Sequence, residues 1–150
     1  MSLFADSPKV SYFRDEYVFL SNFYPCWVEY EGMLYKSVEH AYQAAKSLSI
    51  EDRKKVQETE YAGEAKKLGR KLKNRNDWEM VKVGIMEQCL LQKFNDPMLR
   101  ERLLKLKDYE IVEGNNWGDT FWGIDDKKGG KNILGRLIMK IRDKLLKENK

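Results

Sequence analysis

Apolar residues recur at helical spacing along much of the chain. The clearest case is the segment 78–94, where they follow steps of three and four and so share one helix face. That face comprises Val83, Met86, Leu90 and Phe94, widened by Val81, Ile85 and Cys89. The segment from 132 to about 147 repeats the pattern. Its apolar face comprises Leu134, Leu137, Ile138, Ile141 and Leu145. Both patterns predict amphipathic helices.

Shorter elements are predicted between these two helices and before them. We expect helices at 38 to about 48, 50–58, 63–72 and 97 to about 105, with Ser37 and Pro97 as start signals. Aromatic and β-branched residues predict strands at 10–13, 26–30 and 109–113. Glu31-Gly32 indicates a turn, after which residues 33–35 can pair as a hairpin. The expected fold is α-rich α+β, with a small antiparallel sheet packed by several helices.

Length and composition favour one globular domain. The chain has 150 residues, 42% of them hydrophobic and 35% charged, which suits a single core with a well-solvated surface. We expect a leader at 1–9 and a domain at 10–150. No basic segment followed by an apolar run stands at the N-terminus, and no run of 18 apolar residues occurs, so a cytoplasmic protein without a membrane span is expected.

The residues that usually bind metals are scarce. The chain has one histidine, His40, and two cysteines, Cys26 and Cys89, which stand far apart. A structural zinc site needs about four Cys or His ligands, so neither a metal nor another cofactor is expected. The net charge of +4 suits a phosphate-bearing ligand, and nucleic acid remains an open partner.

The segment 37–46 places three polar side chains on one helix face. Glu39, Gln43 and Lys46 are spaced i, i+4 and i+7, while Val38, Tyr42 and Ala45 form a second face that can pack inward. A carboxylate, an amide and an ammonium in one stripe can bind a polar ligand. The alternative is that Glu39 only complements the helix dipole in the first turn.

Two aromatic segments are further candidates. In 19–25, Asn22 can bind the polar edge of a base or ribose while Phe23 or Tyr24 stacks on a ring; alternatively the segment is a packed loop. In 113–123, Trp117 and Trp122 flank Asp119. These tryptophans either fill a core or form the wall of a pocket.

Two helix starts carry candidate phosphate ligands. The glycine-rich turn 129–131 leads into a helix at Asn132, and a helix N-terminus attracts anions; the alternative is that Asn132 is only an N-cap. In the segment 64–71, Lys66 and Arg70 share a side and can reach a phosphate, although a solvated face is the simpler interpretation. Gly69 inside this helix costs about 1 kcal/mol against alanine, so a close neighbour is expected there.

Taken together, these segments resemble the NADAR family, also called YbiA-like. The matching stretches are 19–25, 37–46, 63–70, 122–123, Asn132 and 134–136. The resemblance extends from about Tyr12 to Leu145. It implies an α-rich fold and N-glycosidase activity. Members are associated with hydrolysis of phosphoribosylamino-pyrimidine intermediates of riboflavin synthesis, and others with removal of ADP-ribose from guanine bases in nucleic acid.

The resemblance implies cleavage of a ribosyl C–N bond, which passes through an oxocarbenium-like transition state. By analogy with glycoside hydrolysis, carboxylates stabilise the cation and activate water, and the candidates are Glu39 and Asp119. The expected substrate-binding residues are Asn22, Phe23, Gln43, Lys46, Lys66, Arg70, Trp117, Trp122, Gly123 and Asn132. Two alternatives stay open: action on ADP-ribosylated nucleic acid, and a non-catalytic module that binds NAD or ADP-ribose.

Overall fold

The computed structural model describes residues 8–149, and helices dominate this part of the chain. The α-helices are α1 (Val38–Ala45), α2 (Ile50–Glu58), α3 (Ala62–Gly69), α4 (Trp78–Lys93), α5 (Pro97–Leu104) and α6 (Ile133–Glu148). The short strands are β1 (Lys9–Val10), β2 (Val28–Tyr30), β3 (Met33–Tyr35), β4 (Glu110–Ile111), β5 (Gly114–Asn115) and β6 (Ile124–Asp125). A 3-10 helix covers Asp15–Leu20. The α-rich α+β class is confirmed.

The chain divides into two compact units, and the first consists of residues 22–96. Within it, α1 packs against α2, α3, α4 and the antiparallel β2–β3 hairpin. All eight residues of α1 are buried. Its alanines at 41, 44 and 45 leave room for neighbouring helices to approach closely. The helix that carries Glu39 and Gln43 is therefore the centre of this unit rather than a surface helix.

The second unit combines the described residues 8–21 and 97–149. Here α6 packs against α5 and β4. Strand β1 pairs in parallel with β4, and β5 pairs in parallel with β6. The α6 side chains Leu134, Leu137, Ile138 and Ile141 are buried, as the spacing predicts. The buried Arg142 donates hydrogen bonds to the carbonyls of Leu106 and Tyr109, which ties α6 to the segment after α5.

The sequence predicted each α-helix found among residues 8–149, but it predicted the strands less well. Ser37 is the N-cap of α1, and its hydroxyl accepts a hydrogen bond from the His40 amide at 3.1 Å. The hairpin and its turn at 31–32 are confirmed. The strands predicted at 10–13, 26–30 and 109–113 are shorter, and the two parallel pairs were not foreseen. In the β1–β4 pair the two strands lie about a hundred residues apart in the sequence, so local patterns do not reveal the pairing.

The leader predicted at 1–9 lies mostly outside the described residues. Lys9 is described, and it pairs with Glu110 in the β1–β4 ladder. No helix formed by the described residues is long and apolar enough to cross a membrane.

Candidate active site

Glu39 is a carboxylate fixed inside the first unit. It lies in the first turn of α1, and its side chain is buried. The amide of Glu39 donates a 3.0 Å hydrogen bond to the carbonyl of Asn22. This bond satisfies a first-turn amide that has no partner within its own helix. It also fixes the predicted ligand Asn22 beside the start of α1.

Gln43 orients Glu39 from one turn further along the helix. Gln43 Nε2 donates a 2.9 Å hydrogen bond to Glu39 Oε2, as the i, i+4 spacing allows. Gly69 on α3 makes room for the Gln43 side chain, since a Cβ at Gly69 would overlap the Gln43 amide oxygen. The close neighbour expected at this glycine is confirmed.

Two amide oxygens in this unit have no partner. Asn22 Oδ1 and Gln43 Oε1 are buried, and neither accepts a hydrogen bond from any residue in the range 8–149. An unpaired buried acceptor costs free energy. Each of these oxygens can accept a hydrogen bond from a hydroxyl or amino group of a ligand.

Burial dominates the electrostatics around Glu39. It raises the pKa of the Glu39 carboxyl, while the Gln43 hydrogen bond and the positive charges of Lys66, Lys46 and Arg70 oppose this rise. Burial likewise lowers the pKa of Lys46, and the charge of Glu39 opposes that fall. A carboxyl whose pKa is raised by burial is a frequent feature of general acids and bases.

The remaining predicted ligand in this unit is Phe23, which adjoins the cationic side of the site. Its ring centre lies 5.9 Å from Lys66 Nζ. The first unit therefore contains seven predicted site residues. They are Asn22, Phe23, Glu39, Gln43, Lys46, Lys66 and Arg70.

The other five predicted site residues belong to the second unit. Asp119 holds the aromatic loop together: its Oδ1 accepts hydrogen bonds from the amides of Phe121 and Trp122 at 3.0 and 2.9 Å. The buried Asn115 adds three bonds, two to the amides of Trp117 and Asp119 and one to the Asp119 carbonyl. The loop is thus a braced structure rather than a flexible one.

The two tryptophans of this loop differ in exposure. Trp117 is exposed. Trp122 is half-buried, and its ring meets that of Phe121 edge to face at 4.9 Å. A half-buried ring keeps surface available for a ligand, so the role of Trp122 in binding stays a prediction.

Gly123 and Asn132 support the same loop through packing and hydrogen bonds. A Cβ at Gly123 would overlap the Glu113 carbonyl. Asn132 Oδ1 accepts from the Glu113 amide at 2.9 Å, and its Nδ2 donates to the Ile111 carbonyl at 2.9 Å. The side chain of Asn132 is therefore engaged in bracing the chain.

The start of α6 offers few amides to a phosphate. The N–H groups of residues 131–134 all donate to carbonyls in the segment 120–123. Anion binding at a helix N-terminus depends on such N–H groups being available. These four amides are therefore not available to a phosphate, and substrate binding by Asn132 stays a prediction.

Comparison with known proteins identifies the family of this chain. The model of the NADAR domain matches residues 10–146. The chain belongs to the NADAR family. An N-glycosidase of Nostoc punctiforme is 37% identical over 131 residues, covering 83% of both chains. The N-glycosidase YbiA of Escherichia coli is 32% identical over 134 residues, covering 87% of this chain and 83% of YbiA. The NMR structure of YbiA superposes with a TM-score of 0.80 at 33% identity, covering 90% and 82% of the two chains.

Another relative is much longer than this chain. A riboflavin biosynthesis protein of Vibrio vulnificus is 37% identical over 145 residues, which is 93% of this chain but 39% of that protein. The chain thus spans about two fifths of the Vibrio protein. The enzyme class expected from the sequence, a hydrolase of N-glycosyl bonds, is confirmed by relatives named N-glycosidase that match over most of their length.

His40 has a structural role in the NADAR chain. Its Nδ1 lies 2.7 Å from the Ser37 hydroxyl, and its Nε2 lies 3.2 Å from the Thr59 carbonyl. A carbonyl only accepts, so Nε2 carries the proton and Nδ1 accepts from Ser37. Burial lowers the pKa of His40, which favours the neutral form of the ring. Within the described part of the chain, no group of three His, Cys, Asp or Glu residues is placed to hold a metal ion.

Sequence reasoning overlooked Trp27 and Tyr61, two exposed aromatic residues near this histidine. A signal for Trp27 was present in the strand pattern. Val28 and Tyr30 point inward on β2, so the alternation turns Trp27 and Glu29 outward.

Proposed function

We propose that this NADAR chain hydrolyses the bond between a ribose carbon and the nitrogen of a base, in a substrate whose sugar carries phosphate. The observation that carries the proposal is the buried Glu39 carboxylate, held by Gln43 and surrounded by the charges of Lys46, Lys66 and Arg70. A negative group in a region of low dielectric stabilises an oxocarbenium-like cation more strongly than it would in water.

Burial raises the pKa of Glu39, which makes the ionised carboxylate a stronger base and suits it to a second role, activation of water. In its ionised form the carboxylate faces the developing positive charge on the sugar and can take a proton from the attacking water. The Gln43 hydrogen bond fixes the oxygen that does so. Asp119 is the second candidate carboxylate, with one oxygen used to brace its loop.

Substrate recognition is assigned to the polar and cationic groups of the first unit. The unpaired oxygens of Asn22 and Gln43 are suited to accept hydrogen bonds from ribose hydroxyls or base amino groups. The cationic side chains Lys46, Lys66 and Arg70 are suited to a phosphate. The name of the Vibrio relative, a riboflavin biosynthesis protein, favours phosphoribosylamino-pyrimidines as the substrate.

The test is base release measured by chromatography. Wild-type protein is incubated separately with a phosphoribosylamino-pyrimidine, with DNA whose guanine bases carry ADP-ribose, and with unmodified nucleotides. We expect release from the first substrate and a loss of about 100-fold or more in Glu39→Gln, which keeps the shape of the side chain and removes its charge. If Glu39→Gln turns over as fast as the wild type, Glu39 is not catalytic and only complements the helix dipole. Release from the DNA substrate alone would favour the nucleic-acid alternative, and binding without release would favour a non-catalytic module.

A further inference from the structure

The side-chain amide of Asn22 is bound to a sulfur atom. Asn22 Nδ2 donates a 3.5 Å hydrogen bond to Sδ of Met86. Met86 is buried on α4, and α4 packs against both α1 and β2. The thioether therefore contacts Asn22 from the interior of the first unit, next to the helix that carries Glu39.

The sulfur of Met86 determines which end of the Asn22 amide it meets. A thioether sulfur accepts a hydrogen bond, although weakly, and has no proton to donate. If the amide turned over, Asn22 Oδ1 would face the sulfur, and two acceptors would be in contact. With Nδ2 on the sulfur, Oδ1 points elsewhere; it is buried there, and no residue in the range 8–149 donates to it.

Gln43 shows the same arrangement with a different partner. Its Nε2 donates to Glu39 Oε2 at 2.9 Å, and its Oε1 is buried without a donor from the described part of the chain. Both amides thus use the nitrogen within the protein and keep the oxygen for a ligand. Each position therefore fits a hydroxyl or amino group, whereas a carbonyl or ether oxygen fits neither.

The position of Asn22 beside Glu39 indicates which hydroxyl it meets. The Asn22 carbonyl accepts from the Glu39 amide at 3.0 Å. In the proposed function Glu39 faces the anomeric carbon of the ribose, and the 2-hydroxyl stands on the adjacent carbon. In glycoside hydrolysis, hydrogen bonds to this hydroxyl strengthen in the transition state.

We infer that Met86 is a positioning residue of the candidate active site, which presents Asn22 Oδ1 to the 2-hydroxyl of the ribosyl group. Met86 itself does not touch the substrate in this assignment; it acts through the orientation of the Asn22 amide. The assignment rests on the proposed function, which puts the sugar beside Glu39. Its test is a binding measurement that does not require turnover.

The experiment compares ribose 5-phosphate with 2-deoxyribose 5-phosphate by calorimetry on the full chain. Both sugars carry phosphate on the 5-oxygen, so both close only to five-membered rings, and they differ by one hydroxyl. The wild type should bind ribose 5-phosphate at least about 10-fold more tightly, because the deoxy sugar leaves a buried acceptor unpaired. In Met86→Leu this ratio should fall below about 3-fold, since leucine has a similar volume and no acceptor.

Two controls separate positioning from packing. Met80→Leu makes the same change on α4 at a side chain that is 87% exposed, and it should keep the wild-type ratio. Protein with selenomethionine in place of methionine keeps an acceptor at position 86, so it should also keep the ratio. A smaller folded fraction lowers the binding capacity for both sugars alike, so lost stability alone leaves the ratio unchanged.

The orientation of the amide is measured directly by NMR. In the wild type, nuclear Overhauser contacts should join the side-chain amide protons of Asn22 to the Met86 methyl group, which is bonded to Sδ. Absence of these contacts would overturn the inference. Equal affinity of the wild type for the two sugars, or a wild-type ratio in Met86→Leu, would overturn it as well.

The outcomes also distinguish this inference from the proposed function. If the wild type binds the two sugars with the expected ratio but releases no base, the proposed function fails. Loss of the ratio in Met86→Leu would then still support the positioning role of Met86. If base is released while Met86→Leu keeps the ratio, the proposed function stands and the positioning role fails.

Discussion

Gln43 and Glu39 form a paired amide and carboxylate, joined by a 2.9 Å hydrogen bond across one turn of α1. The pair is buried, and the amide oxygen of Gln43 is left without a partner among the described residues. The nitrogen of Gln43 favours the ionised form of Glu39. In the proposed mechanism its oxygen accepts a hydrogen bond from the substrate.

The pH profile of the reaction should depend on Gln43. The Gln43 hydrogen bond lowers the pKa of Glu39 against the rise caused by burial, so Gln43→Ala should raise that pKa further. If Glu39 acts as the ionised base, the acidic limb of the kcat/KM profile moves to higher pH. Gln88→Ala, an exposed change on α4, serves as the control. An acidic limb that stays in place in Gln43→Ala would show that the bond does not tune Glu39.

Gly69→Ala should reduce activity by displacing the Gln43 side chain, whose amide oxygen occupies the position of the new Cβ. The matched control is Gly84→Ala in α4, where nothing lies within 4 Å of the added Cβ. Gly84→Ala should leave activity unchanged and stabilise the protein by up to about 1 kcal/mol, because alanine is the better helix former. Melting curves and turnover are measured for both. Full activity in Gly69→Ala would mean that the close packing at Gln43 has no catalytic consequence.

The stability of the protein should rise with pH above neutrality because of Lys93. Burial lowers the pKa of this lysine to about 7, far below its value in the unfolded chain. Between these two pKa values the unfolded state binds more protons, so the free energy of unfolding increases by up to about 1.4 kcal/mol per pH unit. Below about pH 7 both states are protonated and this slope disappears.

Lys93→Met isolates this contribution. Unfolding by urea is measured at several pH values from about 7 to 8.5; above this window Cys26, whose pKa burial raises, begins to act in the opposite direction. The wild type should gain stability relative to the variant across the window. Parallel pH dependence of the two proteins would place the pKa of Lys93 near its ordinary value.

Trp122→Ala distinguishes a core residue from a wall of the binding site. Removal of a fully buried tryptophan costs about 3–5 kcal/mol, and Trp78, which is buried against Tyr42 at a ring distance of 5.1 Å, provides that reference. Because Trp122 is half-buried, its loss should lower the melting temperature less than Trp78→Ala and weaken ADP-ribose binding measured by calorimetry. A melting loss as large as that of Trp78→Ala, with unchanged affinity at low temperature, would remove Trp122 from the site.

Chelation should leave turnover unchanged. One histidine and two separated cysteines do not form a zinc site of the usual kind. In the proposed mechanism carboxylates, rather than a metal ion, stabilise the cation and activate water. Base release is measured before and after treatment with EDTA. Strong inhibition that added metal reverses would overturn the metal-free mechanism.

The sequence alone determined the local features of this protein. Helical spacing, start signals and the 31–32 turn predicted α1 to α6 and the hairpin, because each depends on residues close together in the chain. The same spacing predicted that Glu39 and Gln43 share a helix face. The resemblance to the NADAR family rested on five such local blocks.

Only the tertiary structure decided how deeply that face is buried. The sequence suggested one face with Val38 and Tyr42 that can pack inward and a separate polar face, whereas all eight residues of α1 are buried. Three helices and a hairpin surround α1, and no segment of the chain reveals that arrangement by itself. The pKa of Glu39 is raised by this burial, so the property that makes it a candidate acid or base comes from packing between residues distant in sequence.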